Sequence, residues 1–167
     1  MVLNRQRQVA VSLVRLNLFV ERVCAEMALD QNSVTVCLVG DHAIARMNRT
    51  YRGKLGPTDV LSFPSSRLRA ARRGPSKNGM RSCRADKAAG TRKPPQTLRA
   101  AHGFLGDIAI SPETARRNAR RLRRSLSNEL QILILHGVLH LLGYDHETDD
   151  GTMMRVEARL RRRLGIG

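Results

Sequence analysis

From Leu13 to Met27 the apolar residues Leu13, Leu16, Val20, Val23 and Met27 recur at three- and four-residue steps. That period predicts an amphipathic helix, with Arg15, Glu21, Arg22 and Glu26 outside the stripe. A first strand is expected before it, within Val2–Ser12, where the run Val9–Val11 is apolar but weakly patterned. Asp30-Gln31-Asn32 breaks the helix, and the β-branched stretch Ser33–Val39 reads as a buried strand. Gly40-Asp41 then offers a turn and an N-cap for a helix over about His42–Tyr51, with Ile44 and Met47 inward. Gly53 and the Gly56-Pro57 pair end that helix. Val60–Phe63, stopped by Pro64, and Gly106–Ile110 read as short strands. Ser111-Pro112-Glu113 combines an N-cap serine, an N1 proline and a first-turn acid, so a helix starts there. It bears Arg116, Arg117, Arg120, Arg121, Arg123 and Arg124 as a solvated cationic surface.

Between Ser66 and Ala101 the pattern collapses. The stretch holds eleven Lys and Arg residues against Asp86 alone, with Gly74-Pro75 and Pro94-Pro95. It cannot bury enough apolar surface to offset its ordering entropy, so a mobile basic insert is expected at 66–101. Such an insert is either an arm that grips RNA or a tolerated surface loop.

The most apolar segment is Leu130–Leu142, hydrophobic almost all round, which places a helix in the middle of a core. It nevertheless contains His136 and His140, four residues apart and therefore on one face. Gly143 supplies a C-terminal stop, and the turn through Tyr144-Asp145 brings His146 back toward that face. A lone pair of histidines at this spacing is usually structural. Three of the chain's five within eleven residues, two of them on a core helix, are not. Buried imidazoles need partners, and one shared cation supplies a partner to all three. Three neutral imidazoles leave a coordination position open, the arrangement of catalytic zinc sites. One Zn2+ per chain on His136, His140 and His146 is the expectation. His42 and His102 stand apart and read as surface residues.

The spacing matches the H-E-x-x-H-x-x-G-x-x-H stretch of metzincin peptidases, but their general-base glutamate is Gly137 here. The metal helix is zincin-like while peptide hydrolysis is disfavoured.

Composition narrows the substrate. A net charge of +16 marks a binder of polyanions, and the near-absence of aromatics argues against bases stacked on an aromatic platform. Cys24, Cys37 and Cys83 are odd in number and lack C-x-x-C spacing, as expected of reduced thiols in a cytoplasmic protein. No signal-peptide pattern opens the chain and no apolar run reaches about 18 residues, so membrane insertion is not expected. A length of 167 residues suits a single domain spanning 1–167.

At the histidines the chain takes on a family likeness. His136-Gly137-Val138-Leu139-His140-Leu141-Leu142-Gly143-Tyr144-Asp145-His146 resembles the signature of the YbeY family, bacterial endoribonucleases of ribosomal RNA maturation. Tyr51-Arg52-Gly53-Lys54, Pro57–Pro64 and Gly106–Ile110 agree with it in kind and order, and the likeness runs from about Ser33 to the end, apart from the insert. The resemblance implies a small α+β domain in which a mixed sheet packs with helices, one of them holding the metal pair. It implies zinc and single-strand-specific cleavage of RNA. It further implies trimming of the 3′ end of small-subunit (16S) ribosomal RNA and a part in ribosome quality control. RNA, in the small ribosomal subunit, is then the partner, with no DNA expected.

Arg52 is functionally important by the same resemblance, and a guanidinium near the metal could bind phosphate bidentately. Asp145 and Asp107 are candidates for the general base, while Thr58, Asp59 and Ser62 are expected to shape the site. The nucleophile is water or the RNA's own 2′-hydroxyl. Two other functions compete with the endoribonuclease: a metal-stabilised ribosome-assembly factor with little turnover, and a metal hydrolase of another substrate.

Overall fold

The computed structural model describes residues 1–66, 103–145 and 150–167. The basic insert beyond Ser66, with Cys83 and His102, lies outside the described residues, and so does His146. The elements are β1 (Val2–Asn4), α1 (Leu13–Glu26), β2 (Val34–Leu38), α2 (Asp41–Arg52), β3 (Val60–Pro64), β4 (Gly106–Ile110), α3 (Pro112–Arg121), α4 (Leu126–Leu141) and α5 (Thr152–Leu164). The strands form one mixed sheet in the order β1-β2-β4-β3. β1 and β4 run parallel to β2, and β3 pairs antiparallel with β4, Val60 opposite Ile110 and Pro64 opposite Gly106. The expected α+β class is the observed one.

Alternation along the strands sorts the sheet into two unequal faces. Val34, Val36, Leu38, Ile108 and Ile110 face the main core with α1 and α4. Leu61, Ala109 and the partly buried Cys37 and Phe63 form a smaller cluster with Ile44 and Met47 of α2. Helix α4 is the centre of the larger core: Leu135, Leu139 and Leu141 are fully buried. Each such side chain contributes about 1.5–3 kcal/mol from burial. Ile108 of β4 approaches α4 so closely that a Cβ on Gly137 would stand 2.8 Å from its Cδ1. Gly106, at φ +150°, has no room for a side chain either, because Phe63 O occupies that space.

Two expectations are refined, and one helix was not foreseen. The first strand is Val2–Asn4, and Val9–Val11 is not a strand. Val9 is buried, but its N–H and carbonyl are both taken by the side-chain amide of Gln6, at 2.9 Å each, so it has no call on a sheet. Asp41 sits inside α2, one residue past the Gly40 cap. Its carboxylate accepts from the Thr114 hydroxyl at 2.7 Å and pairs with Arg117 at 2.8 Å, while Glu113 accepts from the Asp41 N–H at 2.8 Å. The two helix starts thus supply each other's polar partners. Helix α5 is unforeseen altogether: its buried residues are only Met153, Leu160 and Leu164, and Gly151 begins it without a side-chain cap.

Candidate metal centre

His136 and His140 project from the last two turns of α4, and their rings meet nearly at right angles with centroids 4.7 Å apart. The two Nε2 atoms face each other at 3.1 Å. On the far side of each ring, Nδ1 meets an oxygen that can only accept. His140 Nδ1 lies 3.1 Å from the Tyr144 carbonyl, and His136 Nδ1 lies 2.9 Å from Glu157 Oε2. Both Nδ1 atoms therefore donate, which leaves both neutral imidazoles with their lone pairs on Nε2. Two lone pairs at that separation repel unless a proton or a cation lies between them. Nitrogens each about 2.0–2.1 Å from a tetrahedral zinc stand roughly 3.3 Å apart, so this donor pair fits a shared ion.

The local sequence explains how each imidazole reaches this state. Gly143, at φ +96°, ends α4 in a turn where the Gly143 N–H donates to His140 O and the Tyr144 N–H to Leu139 O. That is the Schellman pattern, and it folds the Tyr144 carbonyl back onto His140. Glu157 comes from α5, with its side chain 16% exposed and Arg161 3.7 Å away on the next turn. Burial alone would raise the Glu157 carboxyl, but the His136 hydrogen bond, with the Arg161 charge beside it, outweighs burial, so it lies below the usual glutamate range.

Gly137, between the two histidines, is where a metzincin has its glutamate, and Ile108 leaves no space for any side chain there. The absence of that base thus follows from how closely α4 packs on β4. The Gly137 carbonyl accepts a 3.3 Å hydrogen bond from Ser62 Oγ, which ties the edge strand β3 to α4.

The other residues singled out in the sequence fall at different distances from this pair. Arg52 is exposed at the end of α2, without a hydrogen-bond partner among the described residues. Its neighbour Tyr51 packs edge-on against Phe63 at 5.1 Å, beside Ser62. Asp145 is half-buried in the turn after α4, and Asp107 is exposed. Asp107 alternates with Ile108 and so points to the sheet face away from α4. Asp59 accepts from Thr58 Oγ1 and the Val60 N–H with one oxygen and from Asn118 with the other, which binds β3 to α3. His42 is exposed, as expected, with Arg46 at 2.9 Å. Among the described residues no three His, Cys, Asp or Glu side chains converge as a metal cage; the third expected ligand lies outside them.

Glu157 and the Tyr144 carbonyl were not found by reading motifs. A signal for Glu157 existed: Met153, Glu157, Leu160 and Leu164 share one helical face, and Glu157 is the sole acid in an arginine-rich segment. A lone carboxylate on the inward stripe of a basic helix needs an internal partner.

The family described as Endoribonuclease YbeY matches residues 1–165. The Endoribonuclease YbeY of Solibacter usitatus is 37% identical over 148 residues, 89% of this chain and 76% of the relative. That of Moorella thermoacetica is 40% identical over 144 residues, 86% and 78%. That of Koribacter versatilis is 34% identical over 166 residues, 99% and 86%. The fold is similar to the solution structure of a Thermotoga maritima protein, with a TM-score of 0.57 at 24% identity over 98% of this chain and 89% of the other. With the family matched across nearly its whole length and these relatives above 30% identity, the chain belongs to the Endoribonuclease YbeY family.

Proposed function

We propose that this protein is a zinc-dependent endoribonuclease that cuts single-stranded RNA, with one ion held by His136, His140 and His146. Its substrate is the 3′ region of small-subunit ribosomal RNA, and its place is the cytoplasm, in ribosome maturation and quality control. The observation that carries this reading is the facing pair of Nε2 atoms, each imidazole already committed through Nδ1 to an acceptor. Family membership supports the nuclease reading. No helix among the described residues is long and apolar enough to cross a membrane.

A divalent cation at this point supplies Lewis-acid polarisation of a phosphoryl oxygen. The chain's own groups do the rest. Arg52, whose fork has no other partner among the described residues, clamps the phosphate bidentately and stabilises charge that develops on it. Asp145, next to His146 in sequence, is the better-placed candidate for moving a proton, because Asp107 faces away. A cavity of about 440 Å³ opens beside His136, lined by Met153, Met154, Glu157, Arg161 and Arg162. Its apolar walls and arginine rim suit a nucleotide flanking the cut. Gly137 weakens the competing peptidase reading, since no general base fits at its position.

The test is cleavage of precursor small-subunit ribosomal RNA by purified protein. Wild type should cut near the 3′ end, stop with chelator and recover with zinc, while His140→Ala stays inert. Cutting by His140→Ala at the wild-type rate would refute the assignment. RNA binding without turnover by the metal-loaded wild type would favour an assembly factor.

A further inference from the structure

We propose that Glu157 is a positioning residue for the metal centre: by holding the proton on His136 Nδ1, it turns the Nε2 lone pair toward His140 Nε2. This rests on the reading of the histidines as metal ligands. The geometry is specific. Glu157 Oε2 stands 2.9 Å from His136 Nδ1, and a carboxylate there has nothing to donate, so the ring nitrogen must. A neutral imidazole has one N–H, and with it fixed on Nδ1 only Nε2 can ligate. The carboxylate is in turn oriented from its other side, where Arg161 Nη1 lies 3.7 Å from Oε1. Met153, Leu160 and Leu164, all buried, anchor α5 on either side of it.

The two ligands reach one tautomer by different devices. His140 uses a backbone carbonyl fixed by the glycine turn that ends its own helix, which no substitution at Tyr144 removes. His136 depends on one side chain from a separate helix. The assembly is therefore asymmetric, and His136 is the ligand whose orientation a single substitution can release. A merely structural ion pair between α4 and α5 would use the same contact but would not care which nitrogen holds the proton.

The decisive measurement is nitrogen-15 NMR of the imidazoles in metal-free protein, at a pH where they are neutral. Wild-type His136 should carry its proton on Nδ1. Glu157→Ala should shift His136 toward the Nε2–H form while His140 keeps its pattern, and Glu157→Gln, whose amide oxygen still accepts, should retain the wild-type form. Zinc affinity, read by competition with a chelator, should fall by about 10–100-fold in Glu157→Ala and recover most of the way in Glu157→Gln. A wild-type His136 protonated on Nε2 would overturn the proposal, and that spectrum needs no variant to fold. So would a folded Glu157→Ala with an unchanged tautomer and zinc affinity within twofold of wild type. Failure of the wild type to bind zinc would instead refute the metal reading, while its tautomers still decide the role of Glu157.

Discussion

Helices α4 and α5 face each other across the histidine pair and contribute to it in opposite ways. Helix α4 is buried almost all round, so the packing of its leucines fixes where its two histidines stand on the fold. Helix α5 meets solvent along most of its length, with Arg155, Arg159, Arg162 and Arg163 on or near the surface, and lends one carboxylate. Position is thus secured by dense packing on one side and by a single polar contact on the other. The contrast separates two kinds of damage. Changes in α4 should cost the fold and the site together, whereas Glu157 can be altered with the core intact. Arg52, exposed at the end of α2, lies further along the same scale: the chemistry proposed for it would come from a side chain with little to hold it.

The largest effect should come from the packed side. Leu139→Ala removes a fully buried side chain between the two histidines and should cost about 2–5 kcal/mol in denaturant unfolding. A loss under 1 kcal/mol would mean that α4 is not the rigid member of the pair. Arg52→Lys comes next, and its cost falls on activity alone. Losing one charged hydrogen bond of about 1.5–3 kcal/mol lowers the cleavage rate by roughly 10–100-fold. Metal content and melting temperature should hold, and a rate equal to wild type would remove Arg52 from the chemistry.

Gly137→Ala drives a methyl into Ile108 and should destabilise by about 1–3 kcal/mol, offset in part by roughly 1 kcal/mol of better helix propensity. Because the strain falls between the ligands, zinc binding should weaken as well. A stabilised variant with full affinity would contradict the close approach of α4 to β4.

The smallest effect lies away from the site, where α2 meets α3. Burial alone would raise the Asp41 carboxyl, but hydrogen bonds from Ser111, Arg117 and Thr114, with the Arg117 charge, hold it below its ordinary 3.8. A depressed folded-state value means the contribution is complete above that ordinary value and fades as the pH falls through the folded one. Asp41→Asn should therefore cost about 1 kcal/mol near neutrality and nothing measurable once the pH is well below the folded-state value. A difference that persists unchanged into acid would show that the carboxylate charge is not what matters there.

The elements with strong periodicity were legible in the sequence for the same reason that they are rigid. Helix α1, the strands β2 to β4 and the apolar α4 all follow from burial patterns, and the Ser111-Pro112 start of α3 follows from local capping. The histidine pair was legible because two imidazoles on an apolar helix need an explanation. Helix α5 was not, since its sparse apolar residues are interrupted by arginines whose place is at the surface. Val9 misled for a related reason: its burial is real, but the Gln6 side chain, not a neighbouring strand, takes its backbone groups. Glu157 illustrates the general difficulty, because its role depends on a partner 21 residues away on another helix.

The most direct test of the central claim is metal analysis of the protein purified without an affinity tag. The account predicts about one zinc per chain in wild type and its loss in His140→Ala, with the fold retained. A wild type without metal, or a His140→Ala variant with full content, would contradict it.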